Sequence, residues 1–315
     1  VSSAPRDRGR PPLTGSGALV GYHGYLTVLI VCMLGGWWAL EAGMKPTTVT
    51  LVFVVGTGLL CFGLERVIPY TRAWRHTKTS VGVDVVHVAL SALAYAPVIR
   101  AGALALVVAL GAAVHDGMSE TLWPHHWPFG LQVLMAVVLA DFGAYSAHRF
   151  MHIAYVGWRL HAVHHSPTSL NFLASARTHP FNAVLTLGAE SLPVFALGAS
   201  PEILAMMTVF KGANGLLQHS NIDLRPGWLS GVVATNEAHW WHHSVVLEES
   251  NRNFGNSTMV WDRLFGTWFV PKDRAPREQV GVEDAAIPEN VLWHLATPFL
   301  LRKFERNAAD RPADA

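Results

Sequence analysis

The run L131-Q-V-L-M-A-V-V-L-A-D141-F-G-A-Y-S-A-H148-R-F-M-H152 decides the fold class of this chain. Residues 131–147 are apolar enough for a membrane helix, and they lead directly into histidines. A bilayer core of about 30 Å takes roughly 20 apolar residues in a helix. Asp141, Tyr145, His148 and His152 stand at i, i+4, i+7 and i+11, which is one stripe of that helix. A carboxylate inside a membrane span is costly and is usually there for function. Asp141 is expected either to hold the second nitrogen of a ligand histidine or to pair with an arginine such as Arg149 or Arg177.

Further histidine groups at helical spacing follow downstream, H161-A-V-H164-H165 and H239-W-W-H242-H243, with His179 and His219 between the groups. Ten of the 17 histidines fall between His148 and His243. Residues three and four apart share a helix face, so each group aims its imidazoles at one point. Neutral imidazole binds iron, zinc, copper and nickel, and this many aimed nitrogens predict one centre holding two metals. His219 ends an apolar helix as His148 does, and is expected at the same depth. His179 is a weaker candidate. Isolated histidines are more often hydrogen-bonded core residues than ligands. That reading is taken for His23, His76, His115, His125, His126 and His294, with His87 left ambiguous beside Asp84.

Composition agrees with a membrane protein: 315 residues, 51% hydrophobic, 14% charged, mean hydropathy +0.28, against about a quarter charged in soluble domains. A net charge of +1 gives no reason to expect nucleic acid. Two cysteines, Cys32 and Cys61, are too few for a disulfide framework or a four-thiolate site. Apolar runs cover 25–40, 49–64, 83–114 (interrupted by Pro97 and Arg100) and 131–147, and a further pair covers 181–197 and 201–217. The expected fold is therefore all-α. It is an integral-membrane helical bundle of about four spans, plus a possible re-entrant hairpin, with a cytoplasmic histidine-rich cap. Basic residues at 6–10 and 66–78 set that orientation by the positive-inside rule. Two crossings within 83–114 would instead put the histidines outside. The expected divisions are a disordered tail at 1–20, membrane helices at 21–130, a catalytic domain at 131–275, and an interfacial helix with a tail at 276–315.

Taken together, D141-F-G-A-Y-S-A-H148-R-F-M-H152, H161-A-V-H164-H165-S, R177-T-H179-P, H219-S-N, H239-W-W-H242-H243-S, N253-F-G-N and W261-D-R-L-F-G-T resemble the fatty acid hydroxylase/sterol desaturase superfamily. The resemblance implies a membrane-bound, non-haem di-iron oxygenase acting on a lipid with O2. It implies His148, His152, His161, His164, His165, His219, His239, His242 and His243 as ligands, with His179 matching only some branches. Zinc can occupy such a site on purification, because it binds more tightly than iron(II). The H-P-G-G haem motif of fused relatives is missing, so a separate ferredoxin- or cytochrome b5-type electron donor is expected. Hydroxylation is the first expectation, then desaturation, then ether-lipid cleavage. Trp240 and Trp241 are expected to line a lipid path or to anchor at the interface. Asn171, Arg177, Asn214 and Asn236 are expected to grip a head group or the ligand shell, and Tyr145 to support the ligands. A histidine-lined metal transporter fits poorly, because the histidines sit at span ends. A zinc lipid hydrolase needs about three ligands, not ten.

Overall fold

A computed structural model describes residues 10–74, 77–95, 97–98, 101–102 and 122–309. Helix α1 (Gly15–Glu41) turns at Gly43, whose φ of +83° suits glycine, into α2 (Pro46–Val67). Pro46 opens α2, where a missing N–H costs nothing. Helix α3 (Lys78–Leu90) continues into one π-helical turn, Ser91–Tyr95. Then come α4 (Phe129–Ile153), α5 (Tyr155–His165), α6 (Pro180–Ala196) and α7 (Pro201–His219). Four shorter or later helices follow among the described residues: α8 (Asn236–His242), α9 (Leu247–Ser250), α10 (Val260–Leu264) and α11 (Val291–Ala309). Among the described residues extended pairing is confined to isolated bridges, so the fold is all-helical, as expected.

Three helices, α1, α2 and α4, are long and apolar enough to cross a membrane. They coincide with the runs at 25–40, 49–64 and 131–147. The expected span at 83–114 is described mainly at its start, and most of the rest, with residues 115–121 of the following loop and with His76, lies outside the described residues. Helices α6 and α7 do not meet the same length and hydropathy. Pro193 interrupts α6, and α7 carries Lys211, which pairs with Glu190 of α6 in the interior.

Helix α7 is the central strut. One side packs Val209, Ala213 and Leu217 against Tyr25, Leu29, Cys32 and Cys61 of α1 and α2. The other packs Ile203, Met206 and Met207 against Val133, Ala136, Val137 and Ala140 of α4 and Val194 of α6. Helices α4 and α6 touch backbone to backbone. A Cβ added at Gly143 would lie 1.9 Å from the carbonyl oxygen of Ala189.

The N-terminal stretch corrects an expectation. Within the supposed disordered tail, α1 already begins at Gly15, and Arg10 is ion-paired with Asp223 at 2.8 Å and with Glu237. The Glu237 carboxylate is fully buried, and a buried charge without a partner is strongly disfavoured. That explains why Arg10 docks. At the other end, α11 sets Leu301 and Phe304 against Ala162 and Trp158 of α5 and leaves Leu292, Trp293 and Phe299 exposed. This amphipathic helix occupies the region expected to be interfacial.

Candidate metal centre

Nine of the ten clustered histidines converge. His148 and His152 come from the end of α4, His161, His164 and His165 from α5, His219 from the end of α7, and His239, His242 and His243 from α8 and its cap. They form two groups. The first is His148, His152, His161, His165 and His242; the second is His164, His219, His239 and His243; within each group one ring nitrogen per residue lies within 4.8 Å of all the others. The groups adjoin, with His165 stacked on His243 at 4.5 Å and the rings of His161 and His164 5.1 Å apart. Adjacent histidines in H164-H165 and H242-H243 point to different groups, because neighbours in a helix lie about 100° apart around its axis.

The outer nitrogens of six of the nine are held by oxygens, while Nδ1 of His243 is buried without a hydrogen-bond partner. His148 Nδ1 donates to the Phe254 carbonyl at 2.8 Å, His164 Nδ1 to Arg177 O at 3.1 Å, His219 Nδ1 to Gly215 O at 2.8 Å and His242 Nδ1 to Arg252 O at 2.8 Å. A carbonyl only accepts, so these four rings carry their proton on Nδ1 and present a bare Nε2 lone pair. His161 and His152 place Nδ1 2.6 Å from Asn182 Oδ1 and 3.1 Å from Asn251 Oδ1. An outer hydrogen bond of this kind fixes tautomer and ring angle in metal sites.

The inner nitrogens face one another. Nε2 of His148 is 2.9 Å from Nε2 of His161, His219 is 3.2 Å from His164, His239 is 2.9 Å from His219, and His243 is 3.0 Å from His239. The His219 and His164 lone pairs repel unless a cation lies between them. Two nitrogens each about 2.1 Å from one ion, at right angles, stand about 3 Å apart. The Nε2 atoms of His152, His165 and His242 are buried and have no hydrogen-bond partner, which is costly without an ion. The donor set therefore fits metal. Burial, reinforced by neighbouring imidazoles, holds His161, His165, His239, His242 and His243 well below the ordinary imidazole range. Burial pushes His164 down to about 4. All six are neutral at pH 7, the form that ligates.

His179 stands apart from both groups. It caps α6, its Nδ1 accepting from Phe181 N–H at 3.2 Å, while Nε2 lies 3.2 Å from Leu295 O. His87 and His294 form a separate buried pair, with ring nitrogens 3.0 Å apart. His125 and His126 are exposed at the far end of α4.

Asp141 bonds neither a histidine nor an arginine. Its oxygens accept from the backbone N–H groups of Asn256, Ser257 and Thr258 at 2.8–3.0 Å, and from Thr258 Oγ1 at 2.6 Å. Asp262 accepts from Phe254 N at 2.8 Å and Gly255 N at 2.7 Å. These two carboxylates hold the loop whose Phe254 carbonyl orients His148. Tyr145 lies 3.1 Å from Thr267 Oγ1 and accepts from Arg149 at 3.2 Å, away from the nitrogens.

Arg177 contributes its carbonyl to His164, and its buried guanidinium pairs with Asp84 at 2.6 Å and Glu289 at 3.1 Å. Asn171 donates to Asp84 at 3.0 Å. Asn214 accepts from Tyr25 at 2.8 Å and donates to Ala234 O at 3.0 Å; Asn236 donates to Leu224 O at 3.0 Å. These three asparagines brace the frame. Trp240 and Trp241 are fully buried, so neither anchors at an interface. Trp240 packs 4.2 Å from Tyr70, and Trp241 packs 5.4 Å from Phe269. Histidine spacing does not reveal the orienting groups Asn182, Asn251, Asp262 and the carbonyls of Phe254, Gly215 and Arg252. The N-F-G-N and W-D-R-L-F-G-T motifs are the only signal that points to some of them.

Residues 133–267 match the family model described as fatty acid hydroxylase. The ornithine lipid hydroxylase OlsE of Rhizobium tropici is 29% identical over 282 residues, covering 86% of this chain and 82% of that protein. An alkylglycerol monooxygenase of Caenorhabditis elegans is 25% identical over 177 residues, 56% of this chain and 34% of its own length. The fatty acid hydroxylase vlmA of a Lecanicillium species is 31% identical over 146 residues, 41% of this chain and 40% of its own. The chain thus spans most of the first relative but only about a third of the second. No solved structure matches. All nine converging histidines lie within residues 133–267, the segment that matches the fatty acid hydroxylase family model, in agreement with the superfamily that the motifs resemble.

Proposed function

We propose that this chain is an integral-membrane, non-haem di-iron monooxygenase that hydroxylates a C–H bond of a lipid with O2. The observation that carries this reading is the pair of adjacent imidazole groups, five and four strong, in which His148, His164, His219 and His242 bond a carbonyl through Nδ1 and turn a bare Nε2 inward. One iron would sit in each group. An unactivated C–H bond is beyond acid–base chemistry, and iron supplies the O2 activation that the reaction needs.

The protein's own part is positional. The carbonyls of Phe254, Arg177, Gly215 and Arg252 keep protons on Nδ1 of His148, His164, His219 and His242, so that these four Nε2 atoms stay available. The loop held by Asp141 and Asp262 sets the height of His148. The buried packing around α5 and α8 excludes water, which would otherwise compete for the inner nitrogens. The extended similarity to an ornithine lipid hydroxylase favours an acyl chain of a polar membrane lipid over a sterol. The hydroxylases and monooxygenases among the relatives favour hydroxylation over desaturation. The basic 66–78 segment supports a cytoplasmic site, supplied with electrons by a separate ferredoxin- or cytochrome b5-type protein.

Metal analysis of anaerobically purified protein, followed by lipid mass spectrometry under labelled O2, tests this. The expected result is two irons per chain and one labelled oxygen in the product. An unlabelled alkene would refute hydroxylation, and a product formed equally well after complete metal removal would refute the oxygenase reading.

A further inference from the structure

Residues 220–283 follow the last long apolar run of the sequence, yet part of this region presents an apolar surface. Helix α10 and the 3-10 turn Gly227–Gly231 present a set of large apolar side chains on the surface. Leu264 is 67% exposed, Trp228 65%, Val232 52%, Phe265 45% and Val260 42%. The two pieces are joined, since Met259 N–H donates to Val232 O at 2.9 Å.

Three contacts fix where this surface sits along α4. The Trp261 indole N–H donates to the Val138 carbonyl at 3.1 Å, the Trp261 ring lies 4.6 Å from Phe142, and Phe265 stacks on Tyr145 at 5.5 Å. On α4 the exposed residues Leu131, Leu134, Phe142 and Phe150 recur at helical spacing, which is the stripe a spanning helix gives to lipid. Phe142 belongs to that stripe and touches Trp261, so the apolar surface of α10 continues it. From Leu131 to His148 the helix rises about 26 Å, close to the whole hydrocarbon thickness. Val138 and Phe142 lie inside that length. The one cation of α10, Arg263, bonds Gly231 O and lies over the Trp268 ring at 4.5 Å.

We infer that α10 and the Trp228–Val232 stretch are inserted into the bilayer leaflet beside the histidine end of α4, with acyl chains covering Trp228, Val232, Val260, Leu264 and Phe265. This inference rests on reading α4 as a membrane span. It puts the metal groups roughly two helical turns from the Phe142–Trp261 contact, so a lipid chain reaches them sideways from the leaflet.

The test uses the full chain in phosphatidylcholine vesicles, with Cys32 and Cys61 replaced by alanine and one nitroxide label at a time. Labels go on Leu264→Cys, on Leu134→Cys as the lipid-facing control and on Glu248→Cys as the aqueous one. Power saturation compares collision with oxygen, which concentrates in lipid, against chromium oxalate, which stays in water. The ratio at position 264 should match that at 134 and exceed that at 248 several-fold. A label at 264 that behaves like 248, or that is shielded from both reagents by a second copy of the chain, overturns the insertion of α10 while leaving α4 a span. A water-like ratio at 134 overturns both.

Discussion

Asp141 and His148 lie two turns apart on the same helix, never touch, and are nonetheless mechanically joined. The Asp141 carboxylate accepts three backbone N–H groups of residues 256–258, and the Phe254 carbonyl just upstream accepts His148 Nδ1 at 2.8 Å. Replacing Asp141 by Asn keeps the shape but weakens those bonds, each of which is worth about 1.5–3 kcal/mol when the acceptor is charged. A stability loss of about 3 kcal/mol is expected in thermal unfolding. Iron affinity of the five-histidine group should fall about 10-fold or more, read by titration of the metal-free protein.

His164 and His179 make a discriminating pair. His164→Ala should remove one of two irons and abolish labelled product while the protein still folds and inserts. His179→Ala should keep both irons and lose only an N-cap, about 1 kcal/mol. Metal counts on the two purified variants decide this, and loss of iron from the His179 variant would contradict the geometry described above.

Arg177 links α3 to the four-histidine group. Its guanidinium is buried against Asp84, and its carbonyl orients His164. Arg177→Met leaves the Asp84 charge unpaired, and breaking a buried pair from one side costs about 3–5 kcal/mol. Adding Asp84→Asn to Arg177→Met should recover part of that loss, and a double-mutant cycle in thermal unfolding measures how much.

Acid should destabilise the metal-free protein in a defined window. An unfolded imidazole takes up a proton below about 6.5, whereas burial delays His164 to about 4 and His294 to about 3. Between those values the unfolded chain binds more protons than the folded one. Stability is therefore full above about pH 6.5 and falls as pH drops, by roughly 1.4 kcal/mol per unit for each such histidine. Denaturant midpoints after chelation, at pH 7 and pH 5, should differ accordingly. Iron-loaded protein should resist acid further, because bound metal keeps its ligands unprotonated.

The sequence made the converging histidines legible: eight by helical spacing, since core packing alone rarely produces H-x-x-x-H and H-x-x-H-H together, and His219 by its place at the end of an apolar run. It also gave the three long apolar helices. It could not separate ligands from the cap residue His179, because a helix N-cap and a metal ligand both call for a polar ring at a helix end. It marked Asp141 as a carboxylate with a task but missed its partners, which come from a loop 115–117 residues away. The tryptophans of H239-W-W-H242 read on sequence alone as lining a lipid path or anchoring at the interface. Only the packing of α8 against Tyr70, Trp74 and Phe269 puts them in the interior.

The contact between Gly143 and the Ala189 carbonyl acts as a spacer of zero thickness. Any side chain at position 143 would wedge α6 outward, and α6 is the helix that carries Asn182 to His161. A change at one residue without a functional group would then misalign an imidazole on another helix. The second-site changes that restore it should be sought along the seam between α4 and α6 and not among the histidines.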